Sequence, residues 1–97
     1  MLIRIVRMHF TAEGAEEFLA IFRENMMAIR HVEGCTHLEL LKDPDKVHTY
    51  TTLSYWNGPQ YLEQYRQSVL FGSVWKRVKV HFAARPEAFS LEQFIKI

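Results

Sequence analysis

The sequence predicts an α+β domain in which strand, helix, strand, strand, helix and strand follow one another. Segments rich in β-branched and aromatic residues alternate with segments whose apolar residues recur at spacings of three and four. Strong turn chemistry separates the two middle strands, so they should form a hairpin. This βαββαβ order is typical of a four-stranded antiparallel sheet with both helices on one face. The chain has 97 residues, a length that suits a single domain spanning residues 1–97.

The first two elements are a strand and an amphipathic helix. Residues 2–10 read as a strand with apolar side chains on both faces, which predicts burial on both sides. A helix follows, and Gly34 is a plausible stop signal shortly after it. Its apolar stripe comprises Ala15, Phe18, Leu19, Phe22, Met26 and Ile29.

The hairpin follows the helix. Residues 35–42 predict the second strand and residues 47–56 the third. Between them, residues 43–46 read Asp-Pro-Asp-Lys, in which proline and aspartate both favour a turn. In the first strand Arg4 and Arg7 lie on opposite faces, and an arginine inside a two-sided sheet needs an anionic partner. Glu39 is the candidate partner, with a ligand anion as the alternative.

The second helical region begins after Asn-Gly-Pro at residues 57–59 and has two runs that meet near Ser68. We expect it to end at residues 85–86, before a short edge strand at residues 88–94. One helical face carries Tyr61, Leu62, Tyr65, Phe71, Val74, Trp75, Val78 and Phe82. This stripe is either a packed core face or the lining of an apolar pocket with a few polar groups.

Composition excludes several classes of function. The net charge is +1 and no basic run is long, so neither nucleic acid nor an acidic membrane surface is indicated as a partner. Cys35 is the single cysteine, so no intramolecular disulfide can form. The chain shows neither a signal peptide nor an apolar run long enough to span a bilayer, which predicts a cytoplasmic protein.

The helices suffice for one face of the sheet only, although the strands are apolar on both. The uncovered apolar face must therefore be covered by another surface. We expect a homodimer built sheet to sheet, with the last strand contacting the partner subunit.

The segment from Trp56 to Phe71 carries a resemblance to a known family. Trp56 ends the third strand, Tyr65 follows nine residues later, and Ser68 and Leu70-Phe71 come next. This pattern resembles the antibiotic biosynthesis monooxygenase (ABM) family, whose members have a ferredoxin-like fold and form a dimeric α+β barrel. The likeness in length and element order covers nearly the whole chain. Tyr65 stands where the family usually has a histidine.

The resemblance implies several activities. Members of the family include cofactor-independent oxygenases of quinols and anthrones, heme-degrading enzymes and isomerases of small sugar-like signals. Heme-degrading members use an asparagine, a tryptophan and a histidine, and the matching positions here are about Val6, Tyr65 and Trp75. None of the three residues is retained at its own position, and an imidazole is needed to ligate the iron. We therefore expect no heme degradation and no cofactor.

The first functional hypothesis is a cofactor-independent monooxygenase of a small electron-rich aromatic, of quinol or anthrone type, held in an apolar pocket. Tyr65 would hydrogen-bond the substrate oxygen or stabilise its negative charge. Trp56, Phe71 and Trp75 would bind the substrate by stacking and apolar contact. For each of these residues, packing in the core is the alternative. A non-catalytic binder of a small apolar ligand and an isomerase of a small oxygenated metabolite are the competing hypotheses.

Two of the five histidines are candidates for a general base. His37 and His48 lie at similar distances from the hairpin turn, which predicts that they are near cross-strand neighbours. Imidazole titrates near neutral pH and suits base catalysis. No pair of histidines has the spacing of a metal motif, so no metal site is predicted.

Overall fold

A computed structural model describes all 97 residues and has the predicted element order, with the second helical region divided in two. The elements are β1 (Leu2–His9), α1 (Ala12–Arg30), β2 (Cys35–Lys42), β3 (Thr49–Trp56), α2 (Pro59–Arg66), α3 (Val69–Lys79) and β4 (Glu87–Glu92). The strands form one antiparallel sheet in the order β2-β3-β1-β4. The predicted α+β, ferredoxin-like fold is thus confirmed, and β4 lies at a sheet edge as expected.

Hydroxyl side chains begin the two longer helices. The Thr11 hydroxyl accepts a hydrogen bond from the Gly14 backbone N–H at the start of α1. Ser68 does the same for Phe71 at the start of α3, while its own hydroxyl donates to the Tyr65 carbonyl at the end of α2. Each bond satisfies a backbone group that a helix end leaves free. Ser68 therefore explains the break predicted near this position.

Three predicted boundaries need correction. The third strand begins at Thr49 rather than residue 47, because the Thr49 N–H still bonds the Lys46 carbonyl within the turn. The second helical region ends at Lys79, well before residues 85–86. There the chain turns so that Phe82 forms an isolated bridge to Phe10, and β4 then spans residues 87–92 rather than 88–94.

The hairpin turn uses Asp43 as predicted. One oxygen of its carboxylate accepts hydrogen bonds from the backbone of Asp45 and Lys46, each at 2.9 Å. The other oxygen lies 3.0 Å from Nη2 of Arg7. These contacts lower the pKa of the Asp43 carboxyl, with the two backbone hydrogen bonds as the largest cause. The expectation that Glu39 pairs with a strand-one arginine is wrong, because Glu39 pairs with His37 instead.

The core has two parts. The larger cluster packs β1 against α1 and α3, and its buried members are Met8, Phe10, Ala15, Phe18, Ile21 and Val78. The smaller cluster comprises Cys35, Trp56 and Leu62 at the other end of the sheet. Ile21 is buried although it was absent from the predicted stripe of α1, whereas Met26 from that stripe is 38% exposed.

The sheet has one covered and one open face. Even-numbered residues of β1, β3 and β4 point toward the helices, and odd-numbered ones point away. Ile5 pairs with Leu53 on one side and with Phe89 on the other, which forms an apolar row across three strands of the open face. Phe89 is 46% exposed within one subunit.

Replacing either of two glycines by alanine is expected to change stability, in opposite directions. Gly34 has φ +85°, and a Cβ atom there would lie 2.2 Å from Cγ of Tyr61. Gly34→Ala should therefore cost more than about 1 kcal/mol, since it adds a clash to a strained backbone. Gly72 is helical and a Cβ there meets nothing within 4 Å. Gly72→Ala should stabilise by about 0.5–1 kcal/mol. Urea unfolding of both variants checks the pair, and equal effects would contradict the role assigned to Gly34.

Candidate functional site

A cavity of about 310 Å³ lies between the covered face of the sheet and the helices. It is lined from both core clusters, by Met8 and Val78 of the larger and by Trp56 and Leu62 of the smaller. Of its 19 lining residues, 14 are hydrophobic, so the cavity favours an apolar ligand.

Four aromatic rings form a continuous wall of the cavity. The ring of Trp56 stacks on Tyr65, with centroids 5.2 Å apart and planes at 25°. Tyr65 meets Phe71 edge to face at 5.2 Å, and Phe71 stacks on Trp75 at 5.9 Å. Such arrangements are the favoured geometries of aromatic pairs. The break between α2 and α3 at Ser68 produces this wall, because it lets Tyr65 and Phe71 approach from two separate helices.

Trp56 anchors the wall. It is 1% exposed, and its Nε1 donates to the hydroxyl of Ser54 at 2.9 Å. That bond satisfies the indole N–H, which would otherwise be buried without a partner. It also fixes the plane of the indole on which Tyr65 stacks.

Tyr65 is a neutral hydrogen-bond donor. Burial raises the pKa of its phenol to about 12, with the nearby Cys35 as a smaller cause. The phenol therefore keeps its proton throughout the neutral and mildly alkaline range. It can donate to a ligand oxygen, but it cannot serve as a general base.

Arginine side chains supply the positive charge at the same end of the cavity as Trp56. Arg4 of β1 pairs in register with Ser54 of β3, and both line the cavity. Arg66 follows Tyr65 at the end of α2 and also lines the cavity. Burial, and then the charge of Arg66, lower the pKa of Arg4.

The structure separates the two candidate histidines from the cavity. His37 pairs in register with Tyr55, stacks on its ring at 4.6 Å and bonds the carboxylate of Glu39. These residues belong to the open face of the sheet. His48 lies in the turn before β3, where its carbonyl accepts from the Phe10 N–H.

The predicted cross-strand approach of His37 and His48 is wrong. The irregularity between Cys35 and His37 and the long turn after β2 set a register in which His48 lies outside the ladder. Neither histidine lines the cavity, so we assign the role of base there to neither.

Three further observations concern metal binding, the single cysteine and the helices. No three His, Cys, Asp or Glu side chains are grouped so that they could hold a metal ion. Cys35 is buried, and burial raises the pKa of its thiol. A thiol of this kind is a poor nucleophile. None of the helices has the length and apolar character needed to cross a membrane.

The cavity gathers some predicted residues and adds others. Tyr65, Trp56, Phe71 and Trp75 all line it. Sequence reasoning did not single out Arg66 or Ser54. For Ser54 a signal was present, because it stands two residues before Trp56 and so shares its face of the strand. Arg66 comes directly after Tyr65 in the sequence. Only the packing of α2 places its side chain at the cavity.

The family model described as "Antibiotic biosynthesis monooxygenase" matches residues 1–77. No protein of curated function matches the sequence significantly.

Solved structures share the fold at low sequence identity. A crystal structure of an antibiotic biosynthesis monooxygenase has a TM-score of 0.90 at 16% identity, with 98% of this chain and 100% of that chain covered. A conserved protein from Methanosarcina mazei has a TM-score of 0.89 at 18% identity, covering 97% and 94% of the two chains. A protein from Mycobacterium tuberculosis has a TM-score of 0.89 at 14% identity, covering 98% and 96%. At these identities the likeness establishes the fold alone.

Proposed function

This chain belongs to the antibiotic biosynthesis monooxygenase family, and on that premise we propose that it oxygenates a small electron-rich aromatic without a cofactor. The substrate is of quinol or anthrone type and binds in the cavity beneath the helices. The observation that carries the proposal is the aromatic wall with the protonated phenol of Tyr65 at its centre.

The residues have distinct roles in this proposal. Phe71 and Trp75 hold a flat ring by stacking and apolar contact and exclude water, while the buried Trp56 supports the ring of Tyr65 from behind. Tyr65 donates a hydrogen bond to the substrate oxygen, and this bond strengthens as negative charge develops there. A neutral donor in an apolar site stabilises such charge more than it does in water.

The substrate itself supplies the electrons. In an anthrone the reacting CH₂ becomes a carbonyl group, a four-electron oxidation. One atom of O₂ enters the product, and the other leaves as water with the two hydrogens of the CH₂. The reaction therefore balances with no external reductant, which suits a cavity built from apolar side chains.

Oxygen consumption with a panel of quinols and anthrones tests the proposal. We expect at least one substrate to consume O₂ faster with the protein than without it. Labelled oxygen (¹⁸O₂) should then appear in one product oxygen by mass spectrometry. Absence of any enzyme-dependent consumption across the panel would overturn the oxygenase proposal.

A non-catalytic binder is the second candidate. No Asp, Glu or His lines the cavity, so a conventional general base is lacking there. Binding requires no such group. If the panel compounds bind, as measured by calorimetry, without being consumed, the binder becomes the better description. An isomerase needs a base to move a proton and is therefore less well supported than the binder.

We also propose that the open sheet face forms a homodimer. Phe89 and Leu91 of β4 are 46% and 50% exposed in one subunit, and Ile3 and Ile5 of β1 lie beside them in the ladder. Burial of this face by a second copy would remove a contiguous apolar surface from water. An obligate interface of this kind buries more than about 2,000 Å² in total.

Sedimentation equilibrium should therefore give twice the chain mass of 11.5 kDa at micromolar concentration. Phe89→Lys places a charge in the proposed interface and should yield monomer or aggregate. Val69→Lys is the control, because Val69 is 89% exposed on α3, on the helix side of the sheet. A wild-type monomer, or a Phe89→Lys dimer of unchanged stability, would contradict the interface. Deleting the residues after Pro86 should have the same effect as Phe89→Lys.

A further inference from the structure

Arg4 is a cation on a central strand that lacks an anionic partner. It lines the cavity from β1, yet it takes part in none of the ion pairs of the chain. Its one side-chain hydrogen bond goes to the hydroxyl of Ser90, at 3.2 Å. A guanidinium group has five N–H donors, so most of those of Arg4 have no partner within the protein and remain open to solvent or to a ligand. The planar guanidinium of arginine matches carboxylate and phosphate groups, which it binds through paired hydrogen bonds.

Arg66 places a second cation near the first. It belongs to the exposed rim of the cavity, and its Nη1 is 3.6 Å from Oε2 of Glu63, a loose pair at the surface. Burial and the charge of Arg66 together lower the pKa of Arg4. Two like charges beside an apolar cavity repel each other, and an anion bound between them would offset that repulsion.

The cavity offers no group that could generate that anion. None of its lining residues is Asp, Glu or His, and Tyr65 keeps its proton far above neutral pH. A ligand that enters as a neutral acid finds no side chain to take its proton. A ligand that enters already ionised finds two guanidinium groups and a phenol donor.

We propose that the cavity takes a flat aromatic ligand whose acidic group is already ionised at neutral pH, and that Arg4 and Arg66 bind this anionic oxygen group. The group is a carboxylate or the anion of an acidic enol. The aromatic body lies along the wall from Tyr65 to Trp75. This inference deepens the proposed function, and it rests on that function only in placing the ligand in the same cavity.

Matched probes of equal shape test the inference. 2-Naphthoate carries the anion, and 2-naphthamide is its neutral isostere. 2-Hydroxy-1,4-naphthoquinone, ionised at neutral pH, and its neutral methyl ether test the enol in the same way. We expect at least one anion to bind the wild type about tenfold or more tightly than its neutral partner, measured by calorimetry. Whichever anion is preferred identifies the acidic group.

Variants assign the preference to the arginines. Arg4→Met keeps the apolar stem and should reduce the preference for the anion to about twofold or less, and Arg66→Met should reduce it partly, since Arg66 is more exposed. Arg23→Met is the control, because Arg23 is exposed on α1 and does not line the cavity. Arg4→Lys is the second variant, to be used if Arg4→Met folds poorly. It keeps the charge and should therefore retain part of the preference for the anion.

The outcomes separate this inference from the proposed function. If neutral probes bind as well as their anions, or if Arg4→Met keeps the full preference, the inference is overturned while the oxygenase proposal stands. If the anions are preferred but no quinol or anthrone is consumed, the oxygenase proposal fails and the inference stands. If no probe of either kind binds, the inference is overturned, and the oxygen-consumption panel alone decides the oxygenase proposal.

Discussion

Replacing Trp56 by alanine is expected to destabilise the protein by about 3–5 kcal/mol. Trp56 is the most deeply buried large side chain and is 1% exposed. Its removal empties the space between Tyr65 and Leu62 and leaves the Ser54 hydroxyl without its donor. A small domain has about 5–15 kcal/mol of stability in all, so this variant should be near its unfolding threshold at 37 °C.

Urea unfolding followed by circular dichroism measures this effect. Trp75→Ala is the matched control, because Trp75 lines the same cavity but is only half-buried. We expect it to lose clearly less stability than Trp56→Ala. Equal losses from the two substitutions would show that Trp56 does not anchor the smaller core cluster.

Tyr65→Phe is expected to fold normally and to lose most of the turnover of any substrate that the wild type consumes. The substitution removes one hydroxyl and keeps the ring that stacks on Trp56. A hydrogen bond to an anionic oxygen is worth about 1.5–3 kcal/mol, so kcat should fall by about tenfold to a hundredfold. Because the pKa of Tyr65 is about 12, the wild-type rate should show no titration of this phenol between pH 6 and 10.

Tyr61→Phe is the control for this variant. Tyr61 packs near Gly34 outside the cavity, so its hydroxyl should not affect turnover. Oxygen uptake at saturating substrate compares the three proteins. Turnover by Tyr65→Phe equal to that of the wild type would leave Tyr65 with a packing role only.

The high-pH stability of Tyr65→Phe gives a second measurement. The phenol ionises near its ordinary pKa of about 10 in the unfolded chain and near 12 in the folded protein. Its contribution to stability is complete below about pH 10 and is lost as the pH rises toward 12. The wild type should therefore lose more stability than Tyr65→Phe across this interval.

Local patterns in the sequence were sufficient for the elements and their order. The turn at Asp43, the helix break at Ser68 and the left-handed turn at Gly34 after α1 are each set by one side chain or one backbone conformation acting on its near neighbours. Such effects extend over three or four residues, so they can be recognised from the sequence alone. Element ends were less accurate. The end of α3 and the limits of β4 depend on the contact of Phe82 with Phe10, far away in the sequence.

The candidate site divides in the same way. The aromatic stripe that includes Tyr65, Phe71 and Trp75 follows from helical periodicity, and all three residues line the cavity. The positions of His37 and His48 could not be predicted from periodicity, because the register of β2 and β3 decides on which face of the sheet each residue lies. A shift by one residue moves a side chain to the opposite face of a sheet, and neither turn chemistry nor periodicity fixed that shift here.

By itself, then, the sequence determined the α+β order, the turns, the helix caps and the aromatic face, since each is encoded by neighbours along the chain. Only the tertiary structure decided that Arg4 and Arg66 both line a cavity that has no base, and that His37 lies on the other side of the sheet. The physical reason is that charge and burial depend on which distant segments pack together. Strand register and helix docking fix that packing. The sequence next to each of these residues does not indicate which distant residues will lie beside it.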